Sequence, residues 1–471
     1  MNISALKFTG LVILAFPAMA SLSHAQENAM IEQSAGDDNV AVITQQNAPQ
    51  AYASIAQDGQ SNAGTILQVG PAEEMINATI TQSGSSQMAN IAQSGVEVLA
   101  TGDVIQFGTG NNANAVQENV SNISFSIDQG GEANVTNIYQ SRMQGNAEVT
   151  QRGFGNDARV DQIEGPFIAN ATIYQNGSEN VVEVLQEGDI QGAVISSQIG
   201  SDNYTSVYQK ISGPPPGIFA SLLVEGDGNV VLVDQNSAAD GHLSHSSSGD
   251  FNRFEYIQGG DGLHITLSSQ ASNNNSDYIR QRGAGVQINA DRTGTHNSEI
   301  WIDQSGMSGD IEVEQTNSEL VRAEFHQQNL GHYATIRQIN VYDSLGFVEQ
   351  LEGASTATIE QSDTSSSSAI VHQGLGGVDL IATIYQSGGT DISTAEIQQS
   401  NYQSTALIAQ AGVTDVYALI VQTGTLGYAE IRQTAENGGM HNSATINQAG
   451  EGYSASIHQS GMNDTAVISQ I

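Results

Sequence analysis

Thr150-Gln151-Arg152-Gly153-Phe154-Gly155-Asn156-Asp157-Ala158-Arg159-Val160-Asp161-Gln162 is one copy of a unit that recurs almost to the last residue. Its skeleton is Gln-x-Gly-x-x-Asn-x-Ala-x-Val/Ile-x-Gln, and the closing Gln opens the next copy. Ala158, Val160 and Gln162 stand at i, i+2 and i+4. In a strand these share one face, and Arg159 and Asp161 take the other. Apolar residues are not sustained at i+3 and i+4, so a helix does not fit. Gly153 to Asn156 are residues that tolerate left-handed backbone, which predicts a turn. The unit therefore reads as strand plus turn.

Working outward, the Gln that ends each unit can be marked from Gln33 to Gln470, with Val224, Ser247 and Arg292 as substitutes. The 38 marks leave 37 intervals, of which 19 are 11 residues and 11 are 12, a phasing too regular for chance. Such self-similarity predicts a repeat architecture. One strand burying a small residue, a branched aliphatic and a Gln cannot stand alone. Two units make a strand-turn-strand rung, and rungs stacked in register bury one another. The expected fold is all-β: a parallel two-sheet β-solenoid of about 19 rungs with amyloid-like stacking. Its expected inward amide ladder includes Gln57, Gln68, Gln82, Gln93, Gln140, Gln151, Gln162, Gln327, Gln338, Gln350, Gln361, Gln433, Gln459 and Gln470. The apolar seam is expected to hold Ala158, Val160, Ile359, Ile431, Ile457 and Ile468, and the turns Gly59, Asn62, Gly153, Asn156 and Gly461.

Proline supports this phasing. It cannot donate to a β ladder, and Pro49, Pro71, Pro166 and Pro214 to Pro216 all fall in intervals of 12 residues or more. The Pro/Gly-rich stretch 210–223 reads as an interruption, a loop between solenoid repeats over 26–209 and the block of repeats over 224–471, whose units are degenerate to about Arg292. Within that block, Ser237 to Asp250 reads as a polar, decayed segment.

Residues 1–25 read as a signal peptide, with Lys7, an apolar run from Phe8 to Phe16, and a small-x-small site at Ser23-His24-Ala25. The run is too short to cross a bilayer as a helix, and no other stretch reaches that length, so no membrane span is expected. There is no Cys to form a disulfide, and net charge is −38. That charge repels phosphates and anionic lipid, so nucleic acid is not an expected partner.

On these residues the chain resembles the curlin repeat family, the subunits of bacterial curli fibres. Gln151, Gly153, Asn156, Ala158 and Gln162 carry the family's Ser-x5-Gln-x-Gly-x-x-Asn-x-Ala-x3-Gln pattern most clearly. Gln57, Gly59, Asn62 and Gln68 carry it with Gly64 in place of Ala, and Gln459, Gly461, Ala466 and Gln470 with Asp464 in place of Asn. The likeness extends over essentially all of 31–471, with far more units than a typical subunit has. It implies a secreted β-solenoid at the bacterial surface that polymerises into amyloid-like fibres for adhesion and biofilm matrix. Its implied partners are its own copies end to end, other curlin-like subunits and an outer-membrane export machinery. The final unit, Ala466 to Gln470, carries no polar cover and is expected to offer its edge to another subunit.

No catalytic constellation, cofactor site or metal site is expected. Carboxylates are plentiful but none is paired in surroundings suited to acid–base work. His242 and His245 lack a third ligand and read as solvated. His326, Glu349 and His372 recur two units apart and are expected in one outward column, with Arg337 against Glu360 in another. A monomeric cell-surface solenoid, acting as adhesin or ligand platform, is the alternative reading.

Overall fold

The computed structural model describes residues 28–471 apart from 35, 49, 71–74, 96–98, 120–121, 143, 164–167, 189–191, 212–217, 237–240, 261, 263, 274–275, 281–284, 286, 295–296, 298, 306, 318–321, 328–330, 340–343, 352, 375–377, 389 and 401. The expected signal peptide and all the mature prolines lie outside the described residues. Two compact units divide the chain, Met1–Gly228 and Asn229–Ile471. Both are β-solenoids. The chain is all-β, and the described residues form 38 strands, two to a rung, hence about 19 rungs. Among the described residues no helix is long and apolar enough to cross a membrane.

In the first unit, successive strands alternate between two sheets. Strand Gln144–Phe154 pairs in parallel with Ile123–Glu132 and Ile168–Ser178, which sets Gln151 opposite Gln129 and Gln175. The following strand, Asp157–Ile163, crosses to the other sheet and pairs with Val135–Ser141 and Val181–Gly188. Parallel strands need a crossover, and here the crossover from one strand to its neighbour is the strand of the opposite sheet. Alternation then decides burial. Ala158 and Val160 are sealed between the sheets, whereas Asp157, Arg159 and Asp161 lie on the outer face. A fully buried aliphatic of this kind contributes about 1.5–3 kcal/mol.

The second unit repeats the plan. Strand Tyr428–Met440 pairs with Thr405–Thr414 and Ser454–Gln459, and Ile359, Ile431 and Ile457 are buried in its seam. Ile468, on strand Thr465–Gln470, is only half-buried.

Four details depart from the sequence reading. Of the stretch 210–223, residues 210–211 end strand Tyr204–Ile211 and residues 218–223 belong to strand Ile218–Glu225, which pairs in register with Gly192–Ser201 and seats Val224 opposite Gln198. The polar segment ending at Asp250 contains strand His242–Asp250. In strand His264–Asn273 the ladder position is Ser269, facing Ser247 and Arg292, and not Gln270. Ser269 keeps the common 11-residue step from Gln258, and the Gln one residue further on drew the sequence mark off the ladder.

Glycine supplies the fourth correction. Gly59 and Gly153 are not turn residues. They lie near the ends of strands Ala51–Gln60 and Gln144–Phe154 with φ of 112° and 113°. Gly59, Gly84, Gly108, Gly131, Gly153, Gly177 and Gly200 form a column in which each backbone presses on the next. A Cβ on Gly153 would come 1.9 Å from the Gly177 carbonyl oxygen. The chain reverses just beyond, at Ser61-Asn62 and Gly155-Asn156, where Ser61 and Gly155 take φ of 57° and 64°. Gly461 does lie in a connection, and its carbonyl accepts a hydrogen bond from Asn442 Nδ2 at 2.8 Å.

Candidate functional site

The repeat brings its chemistry together in columns that run from rung to rung. In the first unit one Gln column passes through Gln57, Gln82, Gln106, Gln129, Gln151 and Gln175, and another through Gln68, Gln93, Gln117, Gln140, Gln162 and Gln186. Each Nε2 donates to Oε1 of the Gln one rung later, at 2.7–3.0 Å. In the second unit Gln338, Gln361, Gln386, Gln410, Gln433 and Gln459 form one such run, and Gln350, Gln373, Gln399, Gln422, Gln448 and Gln470 the other. The sense of donation is the same in all four. Gln327 is in register with Gln350 on strand Arg322–Gln327, but its side chain lies outside the described residues.

The second amide proton is used as well. Gln151 Nε2 reaches Val135 O at 2.9 Å and Asn156 O at 3.0 Å, both at the entry to strands of the facing sheet. Gln thus links rung to rung and sheet to sheet, leaving a buried amide satisfied as burial requires. Asn62 and Asn156 sit in turns and are buried too. In their column Asn156 N and Nδ2 donate back to Asn134 Oδ1 at 3.1 and 3.0 Å, and Asn180 does the same to Asn156. A Gln151→Leu variant keeps the bulk but strips the Gln175 carbonyl, Val135 O and Asn156 O of a donor. We expect it to lose about 2–4 kcal/mol in urea unfolding, against about 0.5 kcal/mol or less for Thr150→Ala on the outer face. Equal costs for the two would refute the ladder's part in stability.

Charges decorate the outer faces. Arg152 pairs with Asp128 one rung earlier. Arg337 is in register with both Glu314 and Glu360, and bonds Glu314 at 2.6 Å, so the expected pairing with Glu360 is replaced by its opposite neighbour. His372 Nδ1 meets Glu349 Oε2 at 2.9 Å. His326 is in register with Glu349, and its side chain is outside the described residues. Exposed pairs of this sort contribute little.

Sequence reasoning missed a group inside the second unit. His245 points into the core of its rung, not into solvent. It packs edge-on to Phe254 at 4.4 Å between ring centroids, and its Nδ1 shares a hydrogen bond with the Tyr256 hydroxyl at 3.3 Å. Its Nε2 has no partner among the described residues. Burial holds its pKa down at about 3. The signal was present: Leu243-x-His245-x-Ser247 and Phe254-x-Tyr256-x-Gln258 keep the alternation while replacing its residue types.

At strand Thr465–Gln470 the columns reach a layer that pairs with Ser443–Gln448. Ala444, Ile446 and Gln448 are buried, while Ala466, Ile468 and Gln470 are half-buried. Gln470 accepts from Gln448 at 2.8 Å and turns its own Nε2 to Ser454 O at 3.3 Å. Gln459, which has the Ser443 and Asp464 carbonyls as acceptors, likewise donates to no further Gln among the described residues. Compared with known proteins, the chain matches no family model and no curated sequence.

Proposed function

We propose that this protein is a secreted structural subunit that stacks end to end into amyloid-like extracellular fibres for adhesion and biofilm matrix. One observation carries the reading: the Gln columns are polar and in register, donating on one side of each rung they pass through and accepting on the other. A rung of that kind is complementary to a copy of itself, and successive copies add in one sense. A head-to-tail contact that does not close generates a filament. The resemblance to curlin repeats supports the same reading and supplies the setting, a bacterial surface reached by outer-membrane export. Solenoid folds host many functions, so polarity and not fold class bears the weight.

Residues 26–471, purified as soluble protein and incubated at rising concentration, should grow in scattering mass. The product should give fibres with cross-β reflections near ~4.7 Å and ~10 Å. Protein that stays at the mass of one chain under all such conditions would overturn the proposal and favour a monomeric surface platform.

A further inference from the structure

On the outer face of the second unit, strands His242–Asp250 and His264–Asn273 lie side by side with His242 opposite His264. Both imidazoles are exposed. Their Nδ1 atoms share a hydrogen bond at 3.0 Å, with ring centroids at 4.8 Å and planes at 54°; a metal bound to both Nδ1 atoms replaces that bond, the ring that held its proton on Nδ1 becoming the Nε2–H tautomer. The parallel ladder fixes the two backbones, so two ligands are already gathered by folding. A metal with bonds of ~2.0–2.1 Å to both nitrogens would see them at roughly 95°. That is the cis edge of a square plane, the geometry of Cu(II) or Ni(II) with nitrogen ligands. A tetrahedral Zn(II) ion would want the nitrogens farther apart, at roughly 3.3 Å.

The neighbourhood favours a cation. The next rungs of the same face carry Asp291, Glu312 and Glu314 around a shallow depression that also meets Thr266 and Ser268 beside His264. These carboxylates add to a chain of net charge −38, and a surface of one sign concentrates counter-ions. We propose that His242 and His264 form a divalent transition-metal site, with Cu(II) as its best-fitting ion, water completing the coordination. It is separate from the buried columns and binds whether or not rungs of different chains stack.

The test uses residues 26–471 and Cu(II) alone. Calorimetric titration should show a site of unit stoichiometry. Electron paramagnetic resonance should show an axial spectrum with coupling to two nitrogens. His264→Gln and His242→Gln should each abolish that site. Gln already occupies the column one rung on, at Gln287, so both variants should keep the wild-type far-ultraviolet circular dichroism. His458→Gln, elsewhere on the outer face, should leave the site intact. Absence of a two-nitrogen site in the wild type would overturn the proposal, as would a spectrum unchanged in either folded variant. Should one variant fail to fold, the other decides alone.

Discussion

Replacing Gly153 by Ala should cost the first unit about 2–6 kcal/mol. Two physical terms add. Gly153 holds φ of 113°, a region that strains any residue with a Cβ by about 1–3 kcal/mol. The new methyl would also sit 1.9 Å from the Gly177 carbonyl oxygen. That oxygen belongs to a paired strand and cannot swing aside as a side chain would, so the rungs must part. Overpacking of this sort costs about 1–3 kcal/mol. Gly110 is the matched control, since it also has positive φ, 67°, but nothing within 4 Å of its added Cβ. There Ala meets the left-handed penalty alone, about 1–2 kcal/mol. Urea unfolding with hydrogen exchange should show a larger loss for Gly153→Ala, centred on strands Gln144–Phe154 and Ile168–Ser178. Equal losses for the two variants would mean that close rung contact is not what selects glycine there.

Acid should loosen the second unit first at the rung that buries His245. Its folded pKa is about 3 against 6.5 for the unsheltered side chain. Above pH 6.5 both states are neutral and the group leaves stability unchanged. As pH falls below 6.5 the unfolded chain takes a proton that the folded one refuses. Stability then drops by about 1.4 kcal/mol per pH unit, or about 2 kcal/mol by pH 5, until the folded pKa is reached. His245→Leu removes this slope. A half-buried carboxylate acts in the other direction: Asp234 in the same unit is shifted upward by desolvation. The decisive quantity is therefore the difference between wild type and variant across pH. Exchange of the amides in strands His242–Asp250 and Arg253–Gln258 should accelerate from pH 7 to pH 5 in the wild type alone, after correction for intrinsic rates. A parallel acceleration in both proteins would remove His245 as the cause.

Much of the fold could be read because burial in a strand has a period of two, set by covalent geometry. Ala158, Val160 and Gln162 announce their shared face without help from any other residue. Near-equal spacing of such triplets then carries the register, which is why Gln106 and Gln129, or Gln399 and Gln422, meet 23 residues apart. What could not be read depends on the neighbouring rung. Glycine permits positive φ in a turn or at a strand end alike, and only the Gly177 carbonyl distinguishes the two for Gly153. Arg337 had two carboxylates at equal sequence distance, and a side-chain rotamer chose Glu314. Ser269 was lost because the ladder residue there is not Gln: Gln270 beside it drew the mark, although the step of 11 residues from Gln258 to Ser269 is the ordinary one. His245 was read as solvated because histidine is usually polar surface, although its place in the alternation already put it inside.

The columns have a consequence for heredity. Along the Gln runs each position is answered by the same residue about 23 residues later, as Gln338 is by Gln361. Excision of the segment between two equivalent points therefore joins Gln to Gln, Asn to Asn and seam to seam. The gene can lose or duplicate a rung by misaligned recombination and still encode a sealed core. Length, in such a protein, is free to drift under selection while its chemistry stands still.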